Sequence, residues 1–153
     1  EEFVIVERMT GALQSVQKIL TIEQLLDLQK KADKVYVDPA LMEYAVRMVT
    51  ATRSPKEVGL PELERYIMFG ASPRASINLI LTGRALAFVR GRNYALPQDV
   101  LDMALDVMRH RIVLTYEALS DNVTGDDILN RILDRIPIPV VPLHEHVNIR
   151  DNA

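Results

Sequence analysis

Three times along this chain a proline follows a residue suited to extended backbone, and a run of apolar residues at helical spacing comes next: Asp38-Pro39, Ser72-Pro73 and Leu96-Pro97. Proline has no N–H to donate and its φ is locked near the helical value, so a helix accepts it mainly in its first turn. The residue before it is pushed toward extended backbone, and Asp and Ser are favoured N-caps. Each pair therefore marks a helix start. A chain punctuated in this way folds as a series of helices joined by short connections.

The first of these helices runs from Pro39 to Arg53, with Leu41, Ala45, Met48 and Val49 on one face. The second, from Pro73 to Arg90, carries a stripe of Ile77, Leu81, Ala85 and Phe88 with Ile80 and Val89 alongside, and is expected to form the core. Gly83 inside it costs about 1 kcal/mol relative to Ala, which points to close approach of another backbone. The third runs from Pro97 to about Ile112. Capping boxes at Thr21/Gln24 and Thr124/Asp127 open two more, over residues 22–34 and 124–136. Between Ser54 and Ala71, Pro55, Gly59, Pro61 and Gly70 leave a loop with at most a short helical turn at Glu62 to Tyr66. Val35-Tyr36-Val37 and Tyr94-Ala95-Leu96 are matching extended entries to the helices after them. The expectation is an all-α bundle of about five helices, with room for very short extended segments. The proline-rich tail from Pro137, without period, reads as extended or disordered.

Composition narrows the function. The chain lacks cysteine, which removes disulfides, thiol nucleophiles and thiolate metal sites and fits a reducing compartment. No apolar run approaches the roughly 20 residues of a membrane helix, and no signal-peptide pattern opens the chain, so a cytoplasmic location is expected. A net charge of -3 argues against nucleic acid as the main partner, including through the helix from Pro97, which carries Asp99, Asp102 and Asp106. Of the 18 basic residues five are lysine and thirteen arginine, and arginine suits bidentate contacts with carboxylates and phosphates. The opening Glu1-Glu2-Phe3, without Met, suggests a piece of a longer protein.

Arg74 stands out. It falls in the first turn of the long helix, where the macrodipole disfavours a cation, and three residues before Ile77 on the apolar stripe. Something anionic should compensate it. Free N–H groups at a helix start, the Gly70-Ala71-Ser72 turn and an arginine would together suit a ligand phosphate. A salt bridge to Glu57, Glu62 or Glu64 would serve as well. Arg53, Arg90, Arg92, Arg109, His110 and Arg111 sit at expected helix C-termini, where capping accounts for them. His144 and His146 have the spacing of one strand face, but no third metal ligand stands nearby, so no metal site is assigned. Phosphate-loop, dinucleotide, zinc-protease and nucleophile-elbow motifs are missing, so no catalytic residue is assigned and the chain alone is not expected to be an enzyme.

Four motifs in order resemble the C-terminal helical lid of MoxR-type AAA+ ATPases: GASPRA at Gly70 to Ala75, Gly91-Arg92, the Y-x-x-P-x-D-V entry at Tyr94 to Val100, and His110-Arg111. Thr52-Arg53 upstream resembles the end of the family's preceding helix. The resemblance implies a lid over 21–139, a link from an ATPase core over 1–20 and a tail over 140–153. It implies that Arg74 is the second sensor, reaching nucleotide phosphates with Ser72 and Ala71 beside it. It also implies ATP and Mg²⁺ in a full-length parent that hydrolyses ATP, with the phosphate loop, Mg²⁺-holding acid and arginine finger in the core. The expected partners are the protein's own N-terminal core, neighbouring subunits of a hexameric ring, and clients such as proteins with von Willebrand A domains or metal cofactors. A stand-alone helical adaptor that docks acidic partners is the alternative.

Overall fold

Asp38 accepts a hydrogen bond from the N–H of Ala40 at 2.8 Å, and Pro39 opens the helix behind it. The computed structural model, which describes residues 2–10 and 17–140, thus realises the first proline start as expected. The chain divides into two compact units, with the boundary after Lys30. The first holds α1 (Glu2–Thr10) and most of α2 (Ile22–Asp33). In the capping box of α2, the Thr21 N–H donates to Gln24 Oε1 and the Gln24 N–H to Thr21 Oγ1, at 2.8 and 3.1 Å. Among the described residues no helix is long and apolar enough to cross a membrane.

The second unit contains α3 (Pro39–Ala51), α4 (Arg74–Val89), α5 (Pro97–Asp102), α6 (Ala104–Met108), α7 (Tyr116–Ser120) and α8 (Gly125–Leu133). It is mainly helical, as expected, around a core that includes Leu41, Met48, Leu63, Leu79, Met108 and Ile128. The two extended entries meet each other. Tyr36 and Tyr94 form a parallel bridge in which the Tyr36 N–H donates to Asn93 O at 2.8 Å and the Ala95 N–H to Tyr36 O at 2.9 Å. The interval before α4 is more ordered than a loop. Two 3₁₀ turns, Pro55–Val58 and Pro61–Tyr66, lead into strand β1 (Ile67–Phe69), which pairs antiparallel with β2 (Val113–Leu114). The single helix expected from Pro97 to Ile112 is interrupted at Met103 and finishes as a 3₁₀ turn at Arg109–Arg111.

The largest departure concerns α4. Its buried residues are Ala75, Leu79, Gly83 and Ala87, whereas Ile77 and Leu81 of the expected core stripe are 60% and 48% exposed and Val89 is 79% exposed. Ala85 is also exposed, while Ile80 and Phe88 are half-buried. The small-residue face lies inward because α3 and α5 both pack on this helix. A Cβ on Gly83 would stand 3.0 Å from Val100 Cγ2 and 3.4 Å from the Val100 backbone. The expected close approach is therefore real, and α5 is its source. Gly83→Leu should lower the urea midpoint by the equivalent of about 1–3 kcal/mol, the usual cost of overpacking. Gly83→Ala should cost much less, because its gain in helix propensity of about 1 kcal/mol offsets the tight contact.

Candidate functional site

The turn that delivers the chain to Arg74 is held by the end of α3. Thr52, fully buried, donates its hydroxyl to Val49 O at 2.7 Å and accepts the Ala71 N–H at 2.9 Å. Arg53 Nη1 then donates to Ala71 O at 2.6 Å, and its Nη2 to Thr50 Oγ1 at 3.3 Å. Both backbone groups of Ala71 are thus taken by two consecutive residues of another helix end. Arg53 is more than the dipole-complementing cation its position suggests, because its guanidinium reaches across to a neighbouring segment.

This clamp requires glycine at position 70. A Cβ there would lie 2.4 Å from Thr52 O and 2.7 Å from Arg53 Cγ, and a backbone carbonyl has little freedom to retreat. Gly70→Ala should therefore destabilise the fold by about 1–3 kcal/mol. The extent to which it displaces α4 is readable as altered amide shifts for residues 71–76.

Beyond the clamp, Ala71 is buried, whereas Ser72, Pro73 and Arg74 are exposed. The first turn closes through Ala75 N–H to Ser72 O at 2.9 Å and Ser76 N–H to Pro73 O at 3.1 Å. The Ser72 side chain, expected as a cap, makes no hydrogen bond among the described residues, since Pro73 takes the N-cap position. Nor does Arg74 find a carboxylate. Of the acidic residues considered for it, Glu64 pairs with Lys56 at 3.6 Å and Glu62 with Arg131. Among the described residues Arg74 has no ion pair, so the positive end of α4 carries an uncompensated guanidinium on the surface.

The remaining arginines are engaged. Asp99, fully buried, is reached by Arg90 Nη1 at 2.8 Å, by Arg92 Nη2 at 2.5 Å and Nη1 at 2.7 Å, and by the Leu96 N–H at 2.8 Å. Arg90 also reaches Asp102 at 2.6 Å. These two arginines pair with carboxylates of α5, and simple capping does not describe them. Burial alone would push the Asp99 carboxyl up, but the Arg92 guanidinium, the Leu96 N–H and Arg90 outweigh it and hold its pKa below the ordinary value. Arg109 pairs with Asp106 and Asp126, whereas Arg111 Nε donates to Val107 O at 2.8 Å, a true C-terminal cap. No cluster of His and carboxylates able to hold a metal occurs among the described residues, and His144 and His146 lie outside them.

The model of the AAA lid domain family matches residues 62–132. The chaperone MoxR1 of Mycobacterium tuberculosis is 44% identical over 141 residues, covering 92% of this chain and 37% of that protein. Protein MoxR of Paracoccus denitrificans is 34% identical over 110 residues, covering 68% of this chain and 32% of that one. A crystal structure from Cytophaga hutchinsonii described as a “putative ATPase” superposes with a TM-score of 0.81 at 35% identity, covering 91% of this chain and 43% of that one. The chain spans about a third of the length of these curated relatives.

Proposed function

This chain belongs to the helical lid domains of MoxR-type AAA+ ATPases, and from that premise we propose that it senses nucleotide through Arg74 by closing over ATP held in the core of a longer protein. The observation that carries the reading is the exposed guanidinium at the start of α4, unpaired among the described residues, beyond a turn clamped by Thr52 and Arg53. A fixed turn with a free cation at a helix N-terminus suits an oxyanion supplied from outside the chain.

ATP, with Mg²⁺ in the core, supplies the phosphoryl group and the negative charge. Arg74 contributes donors directed at that charge, with Ser72 and the clamped backbone of Ala71 beside it. Groups fixed in advance where charge develops stabilise a phosphoryl-transfer transition state by several kcal/mol. The lid acts within a ring of subunits, and its rotation carries the nucleotide state to neighbouring cores and, through them, to client proteins. The test is ATP turnover by the full-length protein after substitution of Arg74, and turnover equal to wild type would sink the reading.

A further inference from the structure

Arg53 is an exposed cation whose head is committed to a carbonyl. Among the described residues it meets no carboxylate, and its guanidinium is shared between Ala71 O and Thr50 Oγ1. Its stem is held as closely as its head, because Arg53 Cγ lies over Gly70, 2.7 Å from where a Cβ on that glycine would stand. An arginine ordered from stem to head gives up side-chain entropy, and a hydrogen bond near the surface returns little net stability. Stability alone is a poor account of it.

What the contact fixes is the plane of a peptide. Among the described residues no peptide bond is cis, and a trans peptide is flat, with its N–H antiparallel to its C=O. By holding Ala71 O, Arg53 sets the direction of the next N–H, that of Ser72, which points away from Arg53. Ser72 is exposed, and its N–H donates to no group among the described residues. Pro73 has none to offer, so this is the last backbone donor ahead of Arg74. A charged donor on the carbonyl also polarises the peptide, which makes the N–H at its other end a stronger donor.

We propose that Arg53 is a positioning residue: it orients and polarises the Ala71–Ser72 peptide so that the Ser72 N–H donates to the same oxyanion as Arg74. The proposal rests on the reading of Arg74 as the phosphate contact. Arg53 touches no phosphate, and its charge acts through one peptide unit. A donor aimed in advance stabilises charge as it develops, so its loss falls on kcat rather than on KM.

The experiment replaces Arg53 in the full-length protein and follows ATP turnover well below the melting temperature of each variant. Arg53→Met keeps the stem over Gly70 without the charged head, and Arg53→Gln serves should that variant fold poorly. Kcat should fall about tenfold or more while KM for ATP stays within about twofold. Arg53→Lys, which can still donate to Ala71 O, should regain most of the rate. With isotope-labelled serine, the Ser72 amide proton should shift upfield in Arg53→Met and return in Arg53→Lys. In an Arg74→Ala background Arg53→Met should cost less than in wild type, because both groups act on one oxyanion. Unchanged kcat, a loss confined to KM, an unmoved Ser72 resonance, no recovery with lysine, or equal costs in the two backgrounds would each overturn the proposal. Arg74→Ala alone separates the two readings. Normal turnover there removes the phosphate contact, whereas lost turnover there with normal kcat in Arg53→Met removes the positioning role alone.

Discussion

Arg74→Ala in the full-length protein should slow ATP hydrolysis about a hundredfold or more while leaving the folded domain almost unchanged. Removal of one donor aimed at developing charge costs about 10²–10³ in turnover, or about 2.7–4 kcal/mol. The effect on stability has a different sign and size. Arg74 is exposed, has no ion pair among the described residues and stands at the positive end of α4. Its loss should therefore stabilise the helix by a few tenths of a kcal/mol or leave it level. Arg74→Lys keeps the charge without the planar fork and should recover only part of the rate. Steady-state turnover and a thermal melt on the same preparations decide the matter. Normal turnover, or a loss that merely follows unfolding, would contradict the assignment.

Asp99→Ala should produce the largest loss of stability of any single substitution in the ion network. The carboxylate is fully buried, and its removal leaves the Leu96 N–H and two guanidiniums facing a void. Breaking a wholly buried pair costs about 3–5 kcal/mol. Here the Arg90 and Arg92 side chains are 41% and 20% exposed, so water relieves part of the penalty and about 2–4 kcal/mol is expected. The pH dependence follows from the same contacts. Because the folded pKa of Asp99 is depressed, its stabilisation is present above the unfolded carboxyl value of about 3.9 and is lost as pH falls through the lower folded value. Asp102, held down by Gln98 and Arg90, and Asp127, held down by Thr124, act in the same direction. Urea midpoints should stay level from neutral pH to about 5 and drop below about 4. Asp99→Asn should weaken that drop without abolishing it. An acid limb unchanged in this variant would remove Asp99 from the account.

The helix starts were legible because their chemistry is local. Asp38 caps Ala40 two residues away, and the Thr124/Asp127 box closes over three. Strands β1 and β2 escaped notice because two or three residues carry no period, and because their pairing joins Ile67 to Leu114 across the chain. Helix α4 was found, but its phase was misread. Its largest apolar residues mark the outer side, while the core selects Ala75, Gly83 and Ala87 because neighbouring helices approach closely there. Hydropathy weighs size, and close packing rewards the lack of it. Arg74 stands out by position alone, three residues before Ile77 on the stripe expected to be buried. The same stripe proves to be exposed in this chain, which strengthens the case for a partner outside it. The clamp could not be read, since Thr52 and Ala71 are 19 residues apart and nothing in either segment announces the other.

That clamp has a mechanical consequence. Because the N–H and C=O of Ala71 are both tied to the end of α3, the backbone that enters α4 is anchored to α3. On the proposed reading, Arg74 follows directly on a turn tied to the end of α3, so its contact would report the orientation of α3 and α4 together. A phosphate that drew in the helix start at Arg74 would then pull on both helices rather than on a loose turn, and local chemistry would pass into their joint displacement.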